Sequence, residues 1–313
     1  MQVGVEKMSL DRVLGPMLGV LTVLCWSGYN VAAKHGIEAG LPPEALAFLR
    51  FSVPGVLALP VLVLLALRGR ALGVSVWRLA VLVALGGPVF GLVAVTGYVH
   101  APLSYGLLFA PVAVFLSSAV LRAVLLRERV TGRRLGAAAV MFAGLALLVG
   151  LDLRALAPGW GQGALFFVLA GCMWGSYTVL LRHWRIPMVE GAVGMAAGSA
   201  MLALPLLGPT GVEPLRAAPV AELVVQVVMQ GIVGGVVSVV ALIGAVRWLS
   251  GQTAALLPVF TPVVALGIAL AAFGDVPSVA EAIGVTIIAA GFLIGLGLST
   301  PLVWPKLRVT TDR

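Results

Sequence analysis

The sequence predicts an all-α integral membrane protein with ten transmembrane helices arranged as two inverted five-helix repeats. Three observations predict this class: the composition, a succession of long apolar runs and an internal duplication. Of the 313 residues, 61% are hydrophobic and 10% are charged, and the mean hydropathy is +1.12. Soluble domains carry about 25% charged residues, so this chain has too few to cover a water-facing surface. The composition therefore excludes a soluble globular domain and a disordered chain.

Apolar runs of membrane-spanning length follow one another along the chain, bounded by charged residues, Pro and Gly. The ten predicted spans are 13–33, 45–67, 79–99, 101–121, 135–151, 163–181, 188–207, 220–246, 251–273 and 279–300. The runs are too long and too evenly apolar for barrel strands, and a helix satisfies its own backbone hydrogen bonds in lipid. The first run is of spanning length and lacks a small-residue cleavage site, which favours a helix over a signal peptide.

The placement of Lys and Arg predicts the orientation of these spans. Sixteen lie in the termini and loops on the side of the N-terminus, and three, Lys34, Arg154 and Arg216, lie on the other side. One further arginine, Arg50, falls inside the second span. Because positively charged loops stay in the cytoplasm, we expect both termini to be cytoplasmic and the membrane to be a bacterial-type inner membrane. This placement also accounts for the net charge of +8 without a nucleic-acid partner.

The two halves of the chain repeat each other. A shift of 148 residues aligns 26–35 with 174–183, matching Trp, Tyr, Val, a basic residue and His in register. A shift of 147 residues pairs Glu128 with Asp275 and Gly87 with Gly234. We therefore predict one five-helix repeat over 1–151 and a second over 152–313, together forming one membrane domain. Because five is odd, the second repeat enters the membrane from the opposite side, as in many secondary transporters.

Two repeated features resemble the drug/metabolite transporter superfamily, in particular its EamA-type members. The first is the aromatic segment that ends in a basic residue, Trp26 to Lys34 and again Trp174 to Arg182, and the second is the pair of Pro-containing spans four and nine. The resemblance covers nearly the whole chain and implies a secondary transporter. Within the superfamily, the chain is similar to bacterial amino-acid exporters. Asp275 departs from the glutamate of the first half, so the resemblance does not imply a shared salt bridge there.

Polar and aromatic residues form a stripe on the first helix. Trp26, Asn30 and Lys34 recur at every fourth position, which places them on one helical face. A buried amide in a membrane needs a hydrogen-bond partner or water, so we expect this face to look inward. In the sixth span, Trp174 and Tyr177 are the repeat mates of Trp26 and Tyr29. An aromatic packing stripe, with the repeat-related cations reaching opposite interfaces, is the alternative interpretation.

The junction of the third and fourth spans gathers further aromatic and hydrogen-bonding groups, and its repeat mate contains Arg247 beside a tryptophan. The predicted substrate-binding residues are Trp26, Asn30, Tyr98, His100, Tyr105, Trp174, Tyr177 and Trp248. Aromatic faces accept varied side chains and can contact an ammonium group. A structural role for His100 and a charged anchor at Arg247 are the alternatives.

Three prolines are predicted bending points for alternating access, namely Pro111, Pro258 and Pro262. Proline inside a helix frees a carbonyl and weakens the helix locally, although a static kink is the simpler alternative. Cys25 and Cys172 lie in apolar runs and indicate neither a disulfide nor a metal site. We expect no metal and no cofactor.

The predicted function is export of amino acids, with aromatic ones among the candidates, or of related small metabolites. The carboxylates fall at span starts or in loops, so none is placed to couple transport to protons near the bilayer midplane. The alternative is a proton-coupled multidrug or metabolite exporter of the same fold. An intramembrane enzyme would need a nucleophile and a base at one depth, and no such pair stands out. The expected partners are a small-molecule substrate and the lipid bilayer, with the monomer as the functional unit.

Overall fold

The computed structural model describes residues 2–68, 73–151, 158–249, 253 and 256–297, and these residues form helices joined by short turns and loops, with no strand among them. The α-helices are α1 Gln2–Glu38, α2 Pro43–Leu67, α3 Val76–Gly86, α4 Pro88–His100, α5 Leu103–Leu125, α6 Gly132–Leu151, α7 Trp160–His183, α8 Met188–Ala217, α9 Val220–Gln226, α10 Ser238–Trp248, α11 Leu257–Phe273 and α12 Val279–Leu296. A π-helical segment, Val227–Val237, joins α9 to α10. The predicted all-α class is confirmed.

Within the described residues, nine stretches are long and apolar enough to cross a membrane. The third of them combines α3 with α4, and the eighth combines α9, the π segment and α10. The shorter apolar helix α11 has 17 residues and corresponds to the predicted ninth span. That span was expected to start at 251, but 250–252 and 254–255 lie outside the described residues. The prediction of ten apolar helical spans is therefore confirmed, with the ninth starting at Leu257 where it is described.

The first helix has a clear lipid-facing stripe. Val13, Met17, Val20 and Leu24 are between 47% and 62% exposed, and they recur at intervals of three or four residues. In a membrane such a stripe contacts acyl chains, since exposed apolar side chains are stable there. The rest of the α1 surface is then available for contacts inside the bundle. We call the membrane face at which this span begins, near Val13, the N-terminal face.

The backbone is irregular at the same repeat position in both halves. Gly87 separates α3 from α4, and its N–H donates to the Val83 carbonyl at 2.9 Å. Pro88 opens α4, where its missing N–H costs nothing. The repeat mate of Gly87, Gly234, lies within the π segment. Long π segments are rare and often mark functional sites, so the middle of the third and eighth spans is a place to look for one.

The seventh span is longer than predicted because α8 continues to Ala217. The predicted span ended at 207, and the helix changes direction at the next residue, Gly208, which has φ 57°. Glycine adopts this left-handed conformation without steric cost, so the chain can resume a helix after the bend. The apolar run therefore ends where expected, while the helix does not.

Helix packing is symmetric under exchange of the two halves. The pair α5–α7 has its counterpart in α11–α1, and the pair α4–α7 has its counterpart in the packing of α1 against α10 and the π segment. Helices α2 and α8, and likewise α6 and α12, are repeat mates that pack on each other. Each major contact therefore either maps onto another or onto itself, which is the packing expected of a duplicated five-helix unit.

Candidate substrate site

The polar stripe on α1 docks on α4 through a chain of hydrogen bonds. Tyr98 donates its hydroxyl to Asn30 Oδ1 at 3.0 Å, and Asn30 Nδ2 donates to the Trp26 carbonyl at 2.7 Å. Lys34 Nζ donates to the Tyr98 carbonyl at 3.0 Å and lies 3.2 Å from Glu38 Oε1. The amide and the cation of the stripe thus both find partners inside the protein, as buried polar groups in a membrane must.

Tyr98 is a packed residue in this conformation. Its side chain is 3% exposed, and its ring centroid lies 4.9 Å from that of Phe167 on α7. Gly106 leaves room for this pair, because a Cβ there would lie 2.6 Å from Tyr98 Cε1 and 2.9 Å from Phe167 Cε1. The predicted role of Tyr98 in substrate binding would therefore require a rearrangement around it.

Arg50 on α2 lies beside this cluster and was not among the predicted site residues. Its Cζ lies 3.8 Å above the ring centroid of Tyr29, a cation–π contact, and 5.8 Å from that of Phe51. Gly234 of the π segment admits the pair, since a Cβ there would lie 3.1 Å from Tyr29 Cδ1 and 3.2 Å from Arg50 Nη1. Arg50 and Tyr29 are also close enough to Tyr98 to interact with it electrostatically. The guanidinium is half-buried between α1, α2 and the π segment.

Two buried glutamines attach the eighth span to α1. Gln226 Nε2 donates to the Ala32 carbonyl at 2.7 Å and to Glu222 Oε1 at 2.9 Å. Gln230 Nε2 donates to the Tyr29 carbonyl at 2.8 Å. Both side chains are at most 1% exposed. These amides fix α1 against the start of the π segment, directly beside the stacked Tyr29.

A second aromatic group lies between α4 and α7. The ring of Trp174 lies 5.2 Å from that of Phe90 and 4.9 Å from that of Tyr177. Tyr177 is buried against Gly86, where a Cβ would lie 2.9 Å from Tyr177 Cδ2, whereas Trp174 is half-buried. Trp174 is seven residues from Phe167 on α7, so the two share a face about 10 Å apart. This face runs from Trp174 to Phe167, which packs on Tyr98. We call Tyr98, Asn30 and Lys34, which are joined by hydrogen bonds, the Tyr98 cluster.

Of the other predicted binding residues, Tyr105 belongs to the same buried cluster as Tyr98, whereas His100 and Trp248 lie at helix ends. His100 stacks on Phe166 at 6.0 Å, at the end of α4. Tyr105 is fully buried, with Phe109 at 5.4 Å and Trp160 at 6.1 Å between ring centroids.

Trp248 is 40% exposed at the end of α10, close to Gly15, where a Cβ would lie 2.9 Å from Trp248 Cβ. Gly15 is nineteen residues from Lys34, about 28 Å along α1. The structure therefore does not bring Trp248 together with the Tyr98 cluster.

The predicted bending points also differ in position. Pro111 lies inside α5 and Pro262 inside α11, as expected of helix-weakening prolines. Pro258 instead lies in the first turn of α11, where proline favours the start of a helix because the first N–H groups have no intrahelical partner. The expectation that all three interrupt a span therefore fails for Pro258 in the described chain. Their role as hinges stays a prediction.

An ion-pair cluster joins three elements at the N-terminal face. Glu128, after α5, lies 3.8 Å from Arg122, 3.5 Å from Arg134 on α6 and 3.4 Å from Arg182 on α7. The repeat mate of Glu128, Asp275, is exposed, and Lys34, the mate of Arg182, contacts Glu38 and Tyr98 instead. The two membrane faces therefore have different polar contacts, in keeping with the departure noted at Asp275 in the sequence.

The carboxylates whose side chains are described lie at helix ends or in loops, namely Glu38, Glu44, Glu128, Glu190, Glu213, Glu222, Asp275 and Glu281. Glu281, for example, forms a capping box with Ser278 at the start of α12. Among all the described residues, no group of three or more His, Cys, Asp or Glu side chains could hold a metal ion. Asp152 lies outside the described residues.

The predicted set of binding residues did not include Arg50, Tyr29, Gln226 and Gln230, although the sequence placed Arg50 inside a span and Tyr29 within the stripe segment of the first helix. A signal was present for Arg50, because an ionisable residue inside a transmembrane span is costly and usually functional. The glutamines gave a weaker signal of the same kind, as amides within an apolar run. Which helices they join could not be read from the sequence.

Comparison with known proteins agrees with the two-repeat architecture. Residues 13–150 and 161–296 each match the model of the EamA-like transporter family. A solved crystal structure, described only as that of a protein, matches with a TM-score of 0.60 over 93% of this chain and 99% of that chain. The two sequences are 22% identical, so this likeness bears on the fold alone. No curated protein sequence matches the chain.

Proposed function

Because both of its halves match that family model, this chain belongs to the EamA-like transporter family, and on that premise we propose that it exports amino acids or related small metabolites. Membership makes it a multi-pass membrane transporter of small molecules. The proposal adds the substrate class, the direction of transport and a mechanism of alternating access between the two five-helix halves. It also includes a bacterial-type inner membrane with both termini in the cytoplasm, from the charge bias of the loops.

The observation that carries the proposal is the set of polar and aromatic groups gathered inside an apolar bundle. Asn30, Tyr29 and Arg50 supply hydrogen-bonding and charged groups, and Trp174 supplies an accessible aromatic face toward the middle of the span. An aromatic amino acid carries an apolar ring, a carboxylate and an ammonium group, and aromatic, cationic and hydrogen-bonding side chains can contact these three groups. The half-buried state of these side chains leaves them able to contact a ligand.

Exchange without an obligatory proton gradient is part of the proposal. A proton-coupled carrier usually places a carboxylate inside the membrane, where its protonation changes with the transport cycle. The described carboxylates lie at helix ends, and Glu128 and Glu281 already hold structural contacts. Substrate therefore moves down its own gradient.

The test is counterflow in proteoliposomes. Vesicles are preloaded with unlabelled amino acids, sugars, nucleosides or cationic drugs, and uptake of each labelled compound is followed without an ion gradient. We expect exchange of L-phenylalanine and other amino acids. We also expect Trp174→Ala to raise the KM for L-phenylalanine about tenfold, because loss of ring stacking and burial costs at least about 1.4 kcal/mol.

The matched control is Phe142→Ala, which removes an aromatic ring that is 54% exposed on α6 and should leave KM unchanged. Exchange that begins only when a pH gradient is imposed would contradict the uncoupled mechanism. Exchange of cationic drugs with no exchange of amino acids would replace the proposed substrate class by a multidrug one.

A further inference from the structure

Arg50 is a cation inside a membrane span. It follows Pro43, the first residue of α2, by seven positions, which corresponds to a depth of about 10 Å along the helix. The surrounding segment, from Ala45 to Pro60, contains no other charged residue. A guanidinium in such surroundings is stable only if its charge and its N–H groups are met by partners.

Tyr29 meets part of this requirement. The guanidinium lies over the ring at 3.8 Å, so the ring face compensates some of the charge and holds the plane of the group. A contact with the ring face leaves the N–H edges of the guanidinium unused, and these edges match a carboxylate bidentately. The structure gives Arg50 no ion pair and no side-chain hydrogen bond among the described residues.

The described carboxylates of α1, α2 and α9 make contacts with groups other than Arg50. Glu38 pairs with Lys34, and Glu222 accepts from the buried Gln226. The Glu44 side chain packs beside Gly211 of α8, where a Cβ would lie 3.0 Å from Glu44 Cγ. The protein therefore positions a planar cation in the bundle that has no ion pair and no side-chain hydrogen bond among the described residues, and none of these three carboxylates supplies its counter-charge.

We propose that Arg50 binds the carboxylate of the transported substrate, with Tyr29 holding the guanidinium in the binding orientation. This inference rests on the proposed function, because it names the group by which an amino acid would be recognised. Gly234 of the π segment lets the pair pack closely against the backbone, since a Cβ there would lie 3.1 Å from Tyr29 Cδ1 and 3.2 Å from Arg50 Nη1. Asn30 and Tyr98, which contact each other at 3.0 Å, border the same region.

The site selects singly charged anions. A phosphate dianion needs a second cation, and the nearest one on α1, Lys34, is already engaged by Glu38 and the Tyr98 carbonyl. Compounds with one carboxylate, with or without an amino group, should therefore bind. The corresponding amides and amines should not, since they leave the guanidinium without its counter-charge.

The experiment compares four compounds that share one ring: L-phenylalanine, 3-phenylpropionate, L-phenylalaninamide and 2-phenylethylamine. Each competes against labelled L-phenylalanine in counterflow, and each is added to the purified protein while thermal unfolding is measured. We expect the two carboxylates to compete and to raise the unfolding temperature, and the amide and the amine to do neither. If the amide or the amine competed as well as the two carboxylates, this result with the wild-type protein would by itself overturn the inference.

Variants then assign the effect to the residue. Arg50→Gln should raise the KM for L-phenylalanine about tenfold to a hundredfold, in line with the loss of a charge-assisted hydrogen bond. Arg50→Lys should recover part of the loss, because it keeps the charge without the bidentate geometry. Arg216→Gln removes an exposed arginine at the end of α8 and serves as the control with unchanged KM. A wild-type KM in a folded Arg50→Gln protein would overturn the inference.

The two proposals fail separately. Only the inference about Arg50 is wrong if amino acids are exchanged, Arg50→Gln has the wild-type KM, and the amide competes as well as L-phenylalanine. If no amino acid is exchanged, thermal stabilisation by 3-phenylpropionate decides: stabilisation lost in Arg50→Gln supports a carboxylate site without amino-acid transport. No stabilisation by any of the carboxylates would overturn both proposals.

Discussion

At the scale of single residues, the contact between Tyr98 and Asn30 is the bond by which the α1 stripe holds α4. Tyr98→Phe removes the hydroxyl that donates to Asn30 Oδ1 at 3.0 Å. Hydrogen bonds between transmembrane helices contribute about 0.6 to 1.7 kcal/mol. We expect Tyr98→Phe to lower the free energy of unfolding by about 1 kcal/mol in detergent unfolding, and the double variant with Asn30→Ala to lose less than the sum of the single losses.

The control for this cycle pairs Tyr98→Phe with Thr286→Val. Thr286 is exposed, and its hydroxyl donates only within its own helix, to the Ala282 carbonyl at 2.8 Å. Its substitution should therefore add to that of Tyr98 without coupling. Additive losses for Tyr98→Phe and Asn30→Ala as well would show that the two side chains do not stabilise each other.

The same residues show what the sequence could reveal. The spacing of Trp26, Asn30 and Lys34 correctly indicated an inward face on α1, because helical periodicity is a local property. Arg50 stood out as a charge inside a span, yet its stacking on Tyr29 depends on how α1, α2 and the π segment approach one another. That approach is a long-range property, so the sequence identified an unusual residue without identifying its partner.

At the scale of helices, glycines determine how closely α4, α5 and α7 pack. Gly106→Ala would place a methyl group 2.6 Å from Tyr98 Cε1 and 2.7 Å from Tyr98 Oη. Overpacking of this kind typically costs about 1 to 3 kcal/mol, because the rings and helices must shift. We expect that loss of unfolding free energy for Gly106→Ala, measured by thermal or detergent unfolding.

Gly136 on α6 provides the matched substitution, since a Cβ there meets nothing within 4 Å. Alanine favours a helix over glycine by up to about 1 kcal/mol, so Gly136→Ala should be neutral or stabilising. A loss at Gly136 as large as the loss at Gly106 would mean that the contact with Tyr98 is not the reason why Gly106→Ala is destabilising.

Hydropathy located the spans to within a few residues, but it could not describe their interior. The third span is two helices meeting at Gly87, and the eighth contains the π segment Val227–Val237. Both spans remain apolar through the irregular region, so the mean hydropathy of a sequence window does not reveal the irregular backbone. The Gly87–Gly234 correspondence served in the sequence only as evidence of the duplication, and it did not predict an irregular backbone at either glycine.

At the scale of the whole molecule, symmetric helix packing coexists with different polar contacts at the two membrane faces. The largest helix pairs have repeat counterparts, whereas the Glu128 cluster at the N-terminal face has none among the described residues at the other. A duplicated bundle can exchange the conformations of its halves, which gives two access states of related structure. The contacts that differ between the faces then determine which state is more stable.

Alternating access predicts that the N-terminal face must open between α7 and the segment after α5. Arg182 Nη2 and Glu128 Oε1 lie 3.4 Å apart across this boundary. In a protein carrying Cys25→Ala and Cys172→Ala, we expect Glu128→Cys with Arg182→Cys to be joined by a reducible thiol crosslinker. The linked protein should lose most of its counterflow, because one access state becomes unreachable, and reduction should restore it.

Thr178→Cys with Arg182→Cys places both thiols on α7, one turn apart, so the same linker should leave transport intact. Full counterflow in the linked Glu128–Arg182 variant would mean that substrate passes the N-terminal face by another route, and the ion-pair cluster would then be a fixed part of the scaffold.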